Sequence, residues 1–179
     1  MRRILIAILC LLLLTTTVSA AGSVSSLQSN SVIAADGTCQ ISLVIQLTVD
    51  SVDGDLRFPL PGNAKDISLN GGGAITSWSE SLRWVDLSGI VYGPGSYSLT
   101  LHYSLPDLVA QKEKEGLVLT LPLLSGFEFP VTRMEFSVTL PGVPEGRPEF
   151  SSTYHPDTME SFMEYGMEGS VISGYMLQV

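Results

Sequence analysis

Three carboxylates, Asp50, Asp53 and Asp55, fall close together in one predicted turn. Hard oxygen ligands at such short spacing are the donors that Ca²⁺ takes in proteins. The order does not match an EF-hand loop, which needs a glycine at its sixth position and a glutamate at its twelfth. Aspartate and glycine also favour turns for purely local reasons. The segment therefore predicts either a solvated hairpin or a weak calcium site formed by these three residues.

Trp78 stands among polar residues in a stretch that predicts a β-hairpin, residues 77–84. An indole exposed beside serine and glutamate can stack on a sugar ring or on a protein partner. The sequence leaves open whether Trp78 faces solvent or the core. Trp84 is in line with Leu82, and we expect it in the core. Trp78 is thus the candidate ligand-binding residue.

The residue types that usually build a catalytic site are scarce. After residue 20 the chain has His102, His155 and Cys39, without the short spacings that transition-metal sites use. No serine stands in a G-x-S-x-G elbow, and the Gly71–Gly73 run lacks the lysine of a phosphate loop. We therefore predict no catalytic residue, no cofactor apart from the calcium ion considered above, and no enzymatic activity.

The chain is acidic, with 18 Asp and Glu against 9 Lys and Arg and a formal net charge of −9. A protein that neutralises a run of phosphates needs clustered basic residues, so the composition excludes nucleic acid as a partner. Hydrophobic residues make up 45% of the 179 residues, which is enough apolar surface to offset the chain entropy lost on folding. The composition is therefore that of a folded domain.

Residues 1–20 read as a secretory signal peptide. Arg2 and Arg3 form its basic region, residues 4–14 its apolar region, and Val18-Ser19-Ala20 a cleavage site of small side chains. Cleavage removes Cys10 and leaves Cys39 alone, so the mature chain can form no internal disulfide. We expect Cys39 to be buried and unreactive in the oxidising compartment that the leader implies.

Apolar residues recur with a period of two along the mature chain. Residues 39–49 alternate apolar odd positions with mostly polar even ones, and the pattern returns at 97–105 and 134–140. Asp36-Gly37 predicts a hairpin between a first strand, at about 24–35, and the strand from Cys39. Pro59 and Pro61 cannot donate to a ladder and predict an edge strand. Together these signals predict an all-β fold, an antiparallel β-sandwich with immunoglobulin-like layers.

One stretch near residues 157–165 departs from this period. Met159, Phe162, Met163 and Met167 are spaced as on one face of a helix, with Asp157 and Glu160 near its N-terminal end. We interpret it as a short helix that caps an open end of the sandwich.

The domain organisation is then a signal peptide, 1–20, followed by one extracytoplasmic domain, 21–179. The last alternating run reaches Val179, which suggests that the domain is the N-terminal part of a longer, membrane-anchored protein.

The order of strand and turn motifs resembles a known family. The motifs are Asp36-Gly37-Thr38, Phe58-Pro59-Leu60-Pro61, Tyr103-Ser104-Leu105, the run Phe136-Ser137-Val138-Thr139-Leu140-Pro141, and residues 169–174. This order is similar to that in the exported N-terminal domain of bacterial membrane proteins of the domain-of-unknown-function family 2207. The resemblance implies a β-sandwich outside the membrane, anchored by segments that follow it in the chain, and it implies no reaction.

The sequence thus favours a non-catalytic, extracytoplasmic β-sandwich of a cell-envelope or membrane protein that serves contact or assembly. Its partner would be a protein or another envelope component. The alternative is a secreted carbohydrate-binding module, weakly dependent on calcium, in which Trp78 stacks on the sugar.

Overall fold

The computed structural model describes residues 21–52, 56–79, 81–106, 108, 111–113, 116–118, 129–142, 159–166 and 169–177. These residues are all-β, as predicted, and no helix occurs among them. Their strands are β1 (Ala21–Ile33), β2 (Cys39–Ser51), β3 (Arg57–Pro61), β4 (Lys65–Leu69), β5 (Gly72–Gly73), β6 (Thr76–Ser79), β7 (Leu82–Asp86), β8 (Gly95–Leu105), β9 (Gln111–Glu113), β10 (Gly116–Val118), β11 (Arg133–Leu140), β12 (Met159–Gly166) and β13 (Gly169–Leu177).

The strands form a large sheet and two small ones. The large sheet has eight strands in the order β12-β13-β11-β1-β2-β8-β4-β5, the second has the order β3-β7-β6, and β9 pairs with β10. Strands β1 and β11 run parallel, in the register Leu27 to Met134, whereas the other strand pairs of the described residues are antiparallel. The sheet is therefore mixed, and the expectation of a purely antiparallel arrangement was wrong. Because β1 and β11 are far apart in sequence, no tight turn imposes an antiparallel direction on them.

The predicted first hairpin is confirmed. β1 and β2 pair from Ile33 opposite Cys39 outward along both strands. In the turn the Gly37 N–H donates to the carbonyl of Ala34 at 3.0 Å, and the Asp36 carboxylate accepts the Thr38 N–H at 2.9 Å. Gly37 has a φ of 85°, a left-handed conformation that glycine adopts without a steric penalty.

The core follows from the alternation of side chains. Leu43, Ile45 and Leu47 on β2 are buried, while the residues between them are exposed or half-buried. The three-stranded sheet β3-β7-β6 contributes Phe58 and Leu60 from β3, and these belong to the same apolar core as the buried residues of β2. The core thus draws on residues from both sheets.

Strand β3 lies at an end of its sheet, as its prolines predicted. Its neighbour β7 pairs with it from Arg57 opposite Asp86 to Pro61 opposite Leu82. An edge position tolerates Pro59 and Pro61 because one side of such a strand needs no ladder donor.

The capping helix predicted near residues 157–165 is wrong where the structure describes it. Met159–Gly166 is strand β12, which pairs antiparallel with β13 from Met159 opposite Met176 to Gly166 opposite Gly169. Over so short a stretch, apolar spacing fits a helix and a strand almost equally well. Hydrogen bonding to β13, which local spacing cannot reveal, decides the conformation. Residues 157, 158 and 167 of the predicted helix lie outside the described residues.

The alternation on β8 gives a direct test. Leu101 is fully buried and His102 beside it is exposed. We expect Leu101→Ala to lower the free energy of unfolding by about 2–5 kcal/mol, because it leaves a cavity in the core. The matched variant His102→Ala should change it by no more than about 0.5 kcal/mol. Urea unfolding measures both, and similar losses in the two variants would contradict the assignment of faces.

Candidate functional site

The predicted hairpin around Trp78 is confirmed as strands β6 and β7. Thr76 lies opposite Val85, and Trp78 lies opposite Arg83. Residues opposite each other on neighbouring strands share a face of the sheet, and alternate residues along one strand do so too. Trp78 and Arg83 therefore lie on the same face of the sheet as Val85, whose side chain is buried in the core. They lie near the turn of the hairpin, further along the strands than Val85.

Trp78 itself is exposed, with 62% of its surface accessible. The guanidinium carbon of Arg83 lies over the indole, 4.9 Å from the ring centroid, in a cation–π arrangement. Gly62 lies beside the ring, since a Cβ atom there would be 3.3 Å from Trp78 Cζ3 and would clash with the carbonyl of Ser81 at 2.5 Å. The indole is thus held against its neighbours although most of it is exposed to solvent.

Arg83 is held in turn by main-chain and side-chain acceptors. Its Nη1 donates to the carbonyl oxygen of Ala64 at 2.8 Å, and its Nε donates to the hydroxyl of Thr76 at 3.3 Å. We call Trp78, Arg83 and Gly62 the Trp78 platform. Because the guanidinium is fixed before any ligand arrives, the platform offers an oriented aromatic surface for stacking.

Trp84 does not lie where the sequence predicted. It is half-buried, and it alternates with Val85, which is fully buried in the core. On β7 the buried residue is Val85, and Leu87, which follows the strand, is buried as well, so Trp84 occupies the opposite face of the three-stranded sheet. The expectation of Trp84 in the core was wrong. It assigned Trp84 to the same face as Leu82 and assumed that this face is buried, but Leu82 is itself only half-buried.

The proposed calcium ligands are placed only in part. Asp50 is exposed near the end of β2, whereas Asp53 and Asp55 lie outside the described residues. Among the residues that are described, no group of three histidine, cysteine or acidic side chains could hold a metal ion. The calcium site formed by the three aspartates therefore stays a prediction.

Three residues after the leader, His102, His155 and Cys39, were considered for nucleophilic or metal chemistry. His102 is exposed on β8, and His155 lies outside the described residues. Cys39 is fully buried, as predicted. Burial raises the pKa of its thiol, and the Ser31 hydroxyl offsets part of that rise. A buried thiol with a raised pKa is a poor nucleophile at neutral pH.

Sequence reasoning missed the partner of Trp78 and two further exposed apolar residues. Arg83 could have been found, because a hairpin that pairs Ser79 with Leu82 places it directly opposite Trp78. Ile75 and Tyr92 are 73% and 85% exposed, and Tyr92 meets Tyr97 edge to face at 6.3 Å between ring centroids. No periodic signal marks these two residues, because both precede strands rather than lie within them.

The described residues contain no helix long and apolar enough to span a membrane.

Comparison with known proteins gives a likeness of fold. No protein-family model matches the chain, and no curated protein matches it. Among solved structures, native yeast LTA4 hydrolase is similar over 86% of this chain and 29% of its own, with 12% identity and a TM-score of 0.51. An M1 zinc metallopeptidase from Deinococcus radiodurans is similar over 89% of this chain and 42% of its own, with 9% identity and a TM-score of 0.46.

The chain therefore spans well under half the length of either enzyme. At 12% identity the likeness to the yeast protein concerns the fold alone. His102 is followed by Tyr103 and His155 by Pro156, so neither histidine begins the H-E-x-x-H sequence with which metalloproteases bind zinc.

The burial of Cys39 and Tyr103 predicts how the stability of the protein changes at alkaline pH. Burial, and then the nearby Cys39, raise the pKa of the Tyr103 hydroxyl above its usual value of 10.0. The unfolded chain therefore ionises both groups before the folded chain does, and stability falls as the pH rises above about 9. Each group contributes at most about 1.4 kcal/mol per pH unit.

We expect Tyr103→Phe to lose less stability than the unchanged protein between about pH 9 and pH 11. Urea unfolding across that range measures the slope. Tyr92→Phe is the control, because it removes the hydroxyl of an exposed tyrosine and leaves the buried Tyr103 in place. Equal slopes for Tyr103→Phe and the unchanged protein would contradict the assigned burial of the hydroxyl.

Proposed function

We propose that this chain is a non-catalytic, extracytoplasmic β-sandwich domain of a bacterial cell-envelope or membrane protein, and that it binds an envelope partner through the Trp78 platform. In this proposal the two sheets are immunoglobulin-like layers, and the chain is related to the family of unknown function 2207. A domain of this kind serves contact or assembly rather than chemistry.

The observation that carries the proposal is the exposed, oriented indole of Trp78. Tryptophan is costly to leave in water, and it is enriched among the residues that dominate binding energy at protein interfaces. Here 62% of the residue is exposed while Arg83 fixes its position from one side. Such an arrangement reduces the ordering cost of binding because Arg83 already orients the anchor side chain.

Location outside the cytoplasm is supported by the sequence of the leader. The leader has the order of a secretory signal: Arg2 and Arg3, then the apolar residues 4–14, then the small residues before position 21.

The net charge of −9 favours neutral or basic partners, because acidic surfaces such as anionic lipid headgroups would repel the domain. The absence of a nucleophile elbow from the sequence supports a non-catalytic role.

The location is tested by fusing alkaline phosphatase, which is active only after export, behind residue 179 of the full chain in a bacterial host. We expect active phosphatase, and we expect activity to disappear when Leu11, Leu12 and Leu13 are replaced by charged residues. An inactive fusion that accumulates in the cytoplasm would overturn the extracytoplasmic assignment.

The contact role is tested by binding of the purified domain to isolated envelope fractions. Trp78→Ala should weaken binding about tenfold or more, since an anchor tryptophan is removed. Tyr92→Ala is the matched control, because it removes an exposed aromatic residue that packs on Tyr97 rather than on Arg83. Equal binding by Trp78→Ala and the unchanged domain would contradict the assignment of the platform.

A second candidate is a carbohydrate-binding module, and the cation–π contact of Trp78 favours it. An indole supported on one side by Arg83 can stack its other side on the C–H face of a sugar ring. A glycan array, read with calcium and with a chelator, tests this candidate. We expect Trp78→Ala to abolish the signal from the glycans that the platform binds. If the three aspartates bind the ion, the calcium dependence of that signal should disappear in Asp50→Ala. A signal unaffected by Trp78→Ala would exclude the platform as a sugar site.

A further inference from the structure

A groove of about 290 Å³ lies on the face of the large sheet opposite the core, whereas the Trp78 hairpin belongs to the three-stranded sheet. It crosses strands β1, β11 and β13. Six side chains that define it on the solvent face come from two neighbouring rows, Gln28, Glu135 and Tyr175 and then Asn30, Ser137 and Ser173, and Arg133 comes from the row before them.

The strand register explains why the sheet surface dips at this place. One row across the three strands is Gln28, Glu135 and Tyr175, which are long side chains. The next row is Asn30, Ser137 and Ser173, which are shorter. Rows on one face of a sheet are about 6.8 Å apart, so the short row forms a floor beside a wall made by the long one.

The wall is held together by charge-assisted contacts. The Glu135 carboxylate accepts Arg133 Nε at 2.7 Å on one oxygen and Gln28 Nε2 at 3.3 Å on the other. The guanidinium of Arg133 also lies over the ring of Tyr175, 4.6 Å from its centroid. These contacts orient the side chains of the wall towards one another, and the charges of Arg133 and Glu135 compensate each other.

The floor offers hydrogen-bonding groups that no other described side chain occupies. No side-chain hydrogen bond of Asn30, Ser137 or Ser173 is found in the described part of the chain. Since adjacent strands are about 4.8 Å apart, these three groups stand in a line of regularly spaced donors and acceptors across the sheet.

The chemistry of the groove excludes several ligand classes. An anion would meet Glu135, and a cation would meet Arg133, and these two exposed side chains already form an ion pair with each other. An extended peptide gains most of its affinity from main-chain pairing at a sheet edge. Here the main-chain groups of β1 and β11 are engaged within the ladder, so only side chains are available to a ligand.

The far side of the floor is aliphatic. The row beyond it is Val32, Thr139 and Val171, and Val32 is 51% exposed. A ligand in the groove would therefore meet hydroxyl and amide groups below, an aromatic and polar wall on one side, and methyl groups on the other. Sugar rings combine hydroxyl groups with apolar C–H faces in this way.

We propose that this groove is a binding site for a neutral carbohydrate, held by Asn30, Ser137 and Ser173 and bordered by Tyr175. The site is separate from the Trp78 platform and does not depend on the function proposed for that platform. Because the groove is shallow and open, the bound unit is one or two residues of an oligosaccharide rather than an enclosed small molecule.

The test uses isothermal titration calorimetry of the full mature domain with four neutral probes: tetramers of glucose in α and in β linkage, of mannose and of N-acetylglucosamine. We expect at least one probe to bind. Asn30→Ala and Ser137→Ala should each weaken that binding about fivefold, the effect of losing one hydrogen bond of about 1 kcal/mol. Ser137→Tyr should abolish it by filling the floor.

Two controls separate the groove from the rest of the molecule. Ser96→Ala, on the solvent face of β8 and outside the groove, should leave affinity unchanged. Trp78→Ala should also leave it unchanged, so that loss of binding at the platform and loss at the groove are distinguishable. Urea unfolding of each variant shows whether the fold is intact.

The proposal is overturned if none of the four sugars binds, or if the unchanged and Ser137→Tyr proteins bind equally while both are folded. It is also overturned if sugar binding disappears in Trp78→Ala and persists in the groove variants. Binding of an uncharged peptide of alternating serine and valine to the groove, without binding of any sugar, would assign the groove to a protein partner instead.

Discussion

The structure depends on strand β1, which is hydrogen-bonded along both of its edges. On one edge it pairs antiparallel with β2, and on the other it pairs parallel with β11. Near the start of β1, Val24 donates its N–H to the carbonyl of Pro130 at 2.9 Å and accepts the N–H of Thr132 at 2.8 Å. β1 thereby joins the part of the sheet built from β2, β8 and β4 to the part built from β11, β13 and β12.

Each face of this sheet has a different physical role. The inner face buries Leu27 of β1 and Met134 of β11 in the core that β3 and β7 share. The outer face carries the groove, whose long and short rows exist only because β1, β11 and β13 are held in fixed register. The position of the Trp78 platform also follows from strand pairing. Arg83 lies on the same face of β7 as the buried Val85, and Trp78 lies opposite Arg83, near the turn of the hairpin.

A sheet whose apolar face is covered leaves its other face and its hairpin ends free to vary without loss of the core. Both candidate sites of this chain are of that kind. Both are built from side chains that contribute little to the core, so their substitution is expected to leave the fold intact.

Local patterns predicted much of this fold. The alternation of β2, β8 and β11 and the Asp36-Gly37 turn each need only neighbouring residues, and each was confirmed. The parallel pairing of β1 with β11 could not be predicted, since nothing local specifies which distant strand completes an open edge. The same limit explains why β12 was mistaken for a helix.

Of the candidate sites, Trp78 was predictable because a hairpin aligns it with Arg83 through a short turn. The groove was not, because Gln28, Glu135 and Tyr175 are distant in sequence and meet only through the register of three strands. Trp84 shows a further limit. A half-buried residue such as Leu82 does not indicate which face of the strand is buried, so it cannot assign its neighbours to a face.

The parallel pairing of β1 with β11 can be measured from interstrand nuclear Overhauser effects between backbone protons. We expect contacts that advance in the same direction along both strands, from Leu27 with Met134 to Ser31 with Val138. Contacts that advance in opposite directions, or contacts of β1 with β2 alone, would contradict it.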